Sequence, residues 1–196
     1  DVSSVYNLFG KTLILILIQI GGLGVITLSS LIIILISKKI SYGTKKLLQE
    51  DINAESTFNI QYFTKKVAIT VFGIELLGAV FLFFEFIQKM PLKRAVYYSI
   101  FHAVSAFCNA GFSTLPGGIL NTTVKFNYYL QWILMLMIIL GGLGHNIVFN
   151  FFHYLKTYFF ELFDKKVIHK KVRIITLNTR IVLYTTSILL VGGTLF

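Results

Sequence analysis

Between Lys11 and Lys38, and again between Lys125 and Lys156, the chain runs for more than 25 positions without a formally charged side chain. A helix needs about 20 such residues to cross a hydrocarbon core. Two spanning helices are expected on this ground alone. Composition points the same way, with 56% hydrophobic and only 13% charged residues in 196 and a mean hydropathy of +0.78. A further span is expected from about Val67 to Ile87, interrupted only by Glu75 and Glu85, and another starts near Leu177 and is cut at Phe196. The fold class is all-α, a polytopic membrane protein. The chain lacks an initiator Met and ends inside an apolar run, so it reads as a piece of a larger protein.

The net charge of +10 raises the question of a nucleic-acid partner. The basic residues flank the spans, however, and form neither one helical face nor an aromatic-interleaved patch, so no nucleic acid is expected. Lone Cys108 excludes an intrachain disulfide and gives no zinc spacing. The connections after the first and third spans, together with Arg180, hold 13 Lys and Arg residues. The opposite side holds five, Lys11, Lys89, Lys93, Arg94 and Lys125. Both long connections are expected in the cytoplasm by the positive-inside rule.

Between the second and third spans lies SIFHAVSAFCNAGFS, Ser99 to Ser113. Phe101, Val104 and Phe107 recur at helical spacing, and Cys108-Asn109-Ala110-Gly111-Phe112 then brings in a glycine that tolerates unusual backbone angles. At roughly 1.5 Å per residue, a helix from Lys93 to Phe107 reaches only about 20 Å, short of a core about 30 Å thick. Such a segment enters and turns back. Irregular backbone at membrane depth is tolerated where it is buried in protein or lines a wet cavity, which marks a pore or a binding site. A pore that selects a dehydrated cation needs several oxygens in place of the hydration shell, and backbone carbonyls supply them if the loop turns them inward. Gly111 permits that turn, with Cys108, Asn109, Ala110 and Phe112 as neighbouring carbonyl donors. Read on its residues alone, the same glycine is also an ordinary helix stop.

An internal repeat accompanies this segment. At an offset of 120, residues 1–24 lie over residues 121–144 without a gap, matching Asn7 to Asn127 and Gly21-Gly22-Leu23-Gly24 to Gly141-Gly142-Leu143-Gly144. At an offset of 114 the second span lies over the fourth, with Leu76 on Leu190 and Gly78 on Gly192. The unit is span, re-entrant loop, span, as in pseudo-symmetric channels and transporters. Gly21, Gly22, Gly24, Gly141, Gly142 and Gly144 are expected to let the inner helices pack closely near the pore.

Other polar residues are read as follows. Mid-span Glu75 pairs with a polar group on a neighbouring helix, or coordinates an ion or a proton. His102 is a packed, hydrogen-bonded histidine, although with Cys108 it is formally a nucleophile pair lacking an orienting acid. His145 and Asn146 face an inner cavity or bond between helices, and Gln19, Gln131 and Asn150 read the same way. His153 and His169 are solvated or interfacial. Lys165 to Arg173 anchors anionic lipid or meets a regulatory subunit.

The string FHAVSAFCNAGFS, preceded by MPLKRAVYYSI and flanked by IQIGGLG and IILGGLG, resembles the Trk/Ktr/HKT superfamily of potassium transporters, most of all the membrane subunit of Ktr-type bacterial uptake systems. KKISYGTKKLLQEDIN resembles the same subunit. The resemblance implies repeated helix, pore-helix, loop, helix units of a potassium-channel-like fold, four to a pore, each with one filter glycine. Mapped onto this chain, residues 1–40 end repeat 1 and 41–62 form a cytoplasmic connection. Residues 63–160 form repeat 2, with outer helix 63–88, pore helix 93–107, filter loop 108–113 and inner helix 126–157. Residues 161–174 are a second connection and 175–196 open repeat 3. The resemblance further implies potassium uptake across the bacterial plasma membrane, alone or coupled to sodium, with potassium held by the carbonyls of Asn109, Ala110 and Gly111. It implies no enzyme activity and no cofactor in this chain, a homodimer in lipid, and a ring of cytoplasmic nucleotide-binding regulatory subunits. The alternative is a permease of another class whose re-entrant loop binds an organic or anionic solute.

Overall fold

The computed structural model describes residues 2–23, 60–144, 147–152, 154–155 and 176–195. Every regular element among them is helical, with no strand. In chain order they are α1 (Val2–Val5), α2 (Leu8–Gly22), α3 (Ile60–Phe86), α4 (Leu92–Phe107), a 3-10 turn (Gly118–Leu120), α5 (Thr122–Lys125), α6 (Tyr128–Gly142) and α7 (Leu177–Leu195). The chain divides into two compact units, residues 1–142 and 143–196. Gly24, His145, Asn146, His153, His169, Lys165–Arg173 and most of both connections lie outside the described residues.

Within the first unit, α4 is the centre. It contacts α2, α3 and α6, and every residue from Phe101 to Phe107 is buried. The longer α3 behaves in the opposite way, presenting Ile69, Leu76, Leu77 and Phe84 on its exposed side. Its stretch Thr64–Phe86 is the one helix among the described residues both long and apolar enough to cross a membrane. A short helix whose second half is buried among helices with apolar exteriors is the inverse of a water-soluble arrangement, and it suits lipid outside and protein inside. At about 1.5 Å per residue, α4 spans roughly 24 Å.

Local chemistry explains where the elements start. Pro91 occupies the cap before α4, with φ −59° already suited to a helix start, and its carbonyl accepts from Arg94 N at 2.9 Å. Phe86, fully buried, closes α3 against α4 through the rings of Tyr98 and His102, at centroid distances of 6.3 and 5.5 Å. Asn7 caps α2 by accepting from Gly10 N at 2.9 Å, and Asn127 caps α6 by accepting from Leu130 N at 3.1 Å. These two asparagines are the pair matched at the 120-residue offset, and α1–α2 and α5–α6 share their bounds at that same offset.

One element departs from expectation. The inner helix expected over 126–157 is not continuous, because α6 ends at Gly142 and helix resumes at 147. Gly144 sits at φ +82°. A left-handed residue ends a right-handed helix, and glycine enters that region without a Cβ penalty.

Candidate ion-filter site

The end of α4 is closed by two crossed backbone bonds. Asn109 N donates to Ala106 O at 3.1 Å, and Ala110 N reaches back to Ser105 O at 2.9 Å. This is a Schellman stop, with its left-handed position filled by Asn109 at φ +53°. Asparagine is the non-glycine residue best able to sit there, because its short amide bonds locally. Here Asn109 Nδ2 reaches the Phe107 carbonyl at 3.5 Å. The helix stop is thus accomplished before Gly111 is reached.

Gly111 nevertheless has φ +72°, and a Cβ placed on it would touch nothing within 4 Å. Its backbone requirement is therefore conformational and not spatial. Along the loop, φ is negative at Cys108, positive at Asn109, negative at Ala110 and positive at Gly111. In an extended strand successive residues face opposite sides. Alternating the sign of φ brings successive carbonyls toward a common side instead. The carbonyls of Asn109, Ala110 and Gly111 accept no hydrogen bond from a described residue. Phe112 differs, since its carbonyl accepts from the Ser105 hydroxyl at 2.7 Å and is turned back onto α4.

The far side of the loop is held by a defined chain of bonds. His102 Nδ1 donates to the Tyr98 carbonyl at 2.7 Å, which makes it the protonated nitrogen. Nε2 then accepts from the Ser113 hydroxyl at 2.9 Å, and Ser113 Oγ accepts from Leu115 N at 3.1 Å. His102 is 6% exposed and both ring nitrogens are engaged. Cys108 has a different partner, Glu75, so the structure forms no His102–Cys108 pair.

Two glycine clusters grip the loop. A Cβ on Gly141 would lie 1.7 Å from the Phe107 carbonyl oxygen, and one on Gly142 would lie 3.8 Å from Asn109 Nδ2. From α2, a Cβ on Gly22 would lie 2.1 Å from Cys108 Sγ. Gly21 has no described neighbour at that distance. On the α2 side the loop borders an open cavity of about 370 Å³, reached by Ile14, Gly22, Ala110 and Phe112.

Of the remaining candidates, Glu75 and Gln19 meet, the Gln19 amide donating to both carboxyl oxygens. Gln131 Nε2 donates to the carbonyls of Val124 and Lys125 at 3.1 and 3.0 Å, tying α6 to the end of α5. In the second unit, Asn150 Oδ1 is buried without a partner among the described residues. Sequence reasoning missed Ser105, Ser113 and the left-handed role of Asn109. The available signal was Asn109 itself, a turn former directly after an apolar helix.

A short buried helix that ends in a carbonyl-bearing loop between apolar helices suits a membrane transport protein. Comparison with known proteins makes the assignment specific. The TrkH cation transport protein family matches residues 1–195, and the chain belongs to that family. It is 34% identical over 191 residues to the potassium/sodium uptake protein NtpJ of Enterococcus hirae, covering 96% of this chain and 38% of that one. It is 32% identical over 150 residues to the Ktr system potassium uptake protein B of Bacillus subtilis, covering 76% and 33% respectively. The Vibrio alginolyticus protein of the same name is 28% identical over 195 residues, covering 99% of this chain and 39% of its own. The chain therefore spans between a third and two-fifths of the length of these relatives.

Proposed function

We propose that the intact protein takes up potassium across the bacterial plasma membrane through a carbonyl-lined filter, and that this chain contributes one of its quarters. The observation that carries the reading is the second positive φ, at Gly111, beyond a helix stop already completed by Asn109. An ordinary helix end has no use for it, whereas a ring of inward carbonyls does. Asn109, Ala110 and Gly111 supply the oxygens, with Cys108 and Phe112 as the flanking residues. Phe112 holds the loop to α4 through its carbonyl. The partly negative C-terminal end of α4 favours a cation at the loop.

On this reading the chain is multi-pass, built from repeats of outer helix, pore helix, filter loop and inner helix, with both long connections in the cytoplasm. The equal bounds of α1–α2 and α5–α6 at one offset support the repeat. Potassium is the transported ion, alone or coupled to sodium, and the chain itself needs no cofactor. The relatives' names, potassium/sodium uptake protein and Ktr system potassium uptake protein B, support the substrate. A homodimer in lipid, on a ring of nucleotide-binding regulatory subunits, completes the assembly.

The test is ion uptake by the intact protein carrying Gly111→Ser. A side chain at φ +72° is disfavoured by about 1–2 kcal/mol, so the loop relaxes and its carbonyls move. The expected result is a weaker half-saturation for potassium and reduced discrimination against sodium. Unchanged values for both would remove this loop from the ion path.

A further inference from the structure

We infer that Glu75 is a positioning residue for the filter, a single carboxyl group that ties the start of the loop to the inner helix of the preceding repeat. This rests on residues 108–112 being the filter. Glu75 lies within α3 and is 5% exposed. Gln19 Nε2, on α2, donates to both of its oxygens, at 3.1 and 3.0 Å. Cys108 Sγ donates to Oε1 at 3.7 Å. Three elements that are distant in the sequence, α2, α3 and the residue that leaves α4, meet at this one group.

The surroundings make the tie both necessary and strong. Leu15, Phe72, Ala79 and Val104 line the same cavity as Gln19 and Glu75, so the walls around the carboxyl are largely apolar. A carboxyl at membrane depth is costly unless partnered, and a polar pair in low dielectric is stronger than in water. Gln19 and Gly22 stand three residues apart, on one face of α2. The amide reaches the carboxyl, and the missing side chain at Gly22 admits the thiol, whose Sγ would lie 2.1 Å from a Cβ there. The arrangement clamps Cys108 from two directions, one residue before the left-handed Asn109.

This tie differs in kind from the other bonds on the loop. Ser105 and His102 hold Phe112 and Ser113 to the pore helix of the same repeat. Glu75 joins positions 56 apart in the sequence, across what the repeat map makes two different units. The local bonds shape the loop, while the Glu75 bonds fix how far that loop stands from its neighbouring repeat. That distance sets both the size of the ring and how many carbonyl oxygens an ion meets in it, the two quantities on which selectivity rests.

The experiment measures potassium uptake by the intact protein, and its inhibition by sodium, in a potassium-uptake-deficient bacterium, with the membrane-resident protein quantified. Variants are Glu75→Gln, Glu75→Ala, Gln19→Glu and the exchange Gln19→Glu with Glu75→Gln, alongside Gly111→Ala. Glu75→Ala is expected to lower discrimination roughly tenfold at parental membrane content, the scale of one charge-assisted hydrogen bond. Glu75→Gln still accepts from Cys108 and pairs with the Gln19 amide, so its loss stays under about threefold. Gln19→Glu sets two carboxyls against each other and loses discrimination, and the exchange recovers it by restoring one amide and one carboxyl.

Unchanged discrimination in Glu75→Ala and Gln19→Glu would overturn the inference, as would an exchange no better than Gln19→Glu alone. Should Glu75→Ala fail to accumulate, the exchange decides, because recovery requires the pair itself. Gly111→Ala separates the two levels of reasoning. If it leaves discrimination intact, the filter reading fails; if it disturbs discrimination while the Glu75 and Gln19 variants do not, only the tie fails.

Discussion

Replacing three helical glycines by alanine separates intrinsic helix preference from close packing. In an open helix the exchange is favourable by about 0.5–1 kcal/mol. Gly73 offers that case, since a Cβ there meets nothing within 4 Å, and Gly73→Ala should match or slightly exceed the parent. At Gly78 the new methyl lies 2.5 Å from Met137 Sδ and 2.6 Å from its Cε. A thioether chain with several rotatable bonds can swing aside, so the net loss is about 1 kcal/mol or less. Gly141 is the severe case. Its methyl would lie 1.7 Å from Phe107 O and 2.7 Å from the carbonyl carbon, where ordinary contact begins at 3.4 Å. The neighbour is main chain, which no rotamer change relieves. Either α6 retreats from α4 or the end of α4 moves. Overpacking of this kind loses about 1–3 kcal/mol, and a backbone obstacle puts Gly141→Ala at the upper end of that range. The assay is the temperature at which the intact transporter in detergent loses its monodisperse form, followed by potassium uptake under sodium competition. Stability should fall in the order Gly73→Ala, Gly78→Ala, Gly141→Ala, and discrimination should change in Gly141→Ala alone. A Gly141→Ala protein as stable and selective as the parent would refute the close approach.

Asn109→Gly should keep parental stability in the same thermal assay, because glycine enters the left-handed region freely, whereas Asn109→Ala should lose about 1 kcal/mol. Asn127→Ala removes the cap of α6 and the partner of the Glu85 carboxyl, with an expected loss of about 1–2 kcal/mol. Asn127→Ser restores the cap without the Glu85 bond, so an equal loss in both variants would show that capping contributes nothing. Cysteines placed at Lys46 or Lys166 of the intact protein should react with an impermeant maleimide only after permeabilisation, and labelling of intact cells would invert the proposed orientation.

How much of this was legible in the sequence depends on how local each determinant is. Low charge over long runs announced apolar helices; α7 begins at Leu177, where hydropathy puts it, while α3 begins at Ile60, seven residues before the expected Val67. The shortness of α4 was legible because Pro91 marks its start and the glycine-bearing run Cys108 to Phe112 follows its end. The assignment of the stop was less legible. Gly111 looked like the breaker, yet the Schellman bonds close two residues earlier, around an asparagine whose left-handed tendency is weaker than that of glycine. The break at Gly144 was hidden because a glycine cluster serves close packing and helix termination equally well. The partner of Glu75 was beyond any local pattern. Gln19 stands 56 positions away, and only the packing of α2, α3 and α4 brings it there.

The loop's geometry and its surroundings explain one another. Positive φ at Asn109 and Gly111 is conformationally disfavoured, and such backbone persists where neighbouring structure over-determines it. Here the constraint comes from glycines as much as from hydrogen bonds. Gly22 lets α2 close on Cys108, Gly141 lets α6 close on Phe107, and the two approaches bracket the residues at which helix gives way to loop. Side chains at either position would hold the helices off and leave Ser105, His102 and Glu75 to restrain the loop with single bonds. Discrimination between cations by size requires carbonyls held in a fixed ring, and a ring stays fixed when its anchors sit on rigid elements. On the proposed reading, Gly22 and Gly141 thus serve selectivity although neither lies in the filter loop itself.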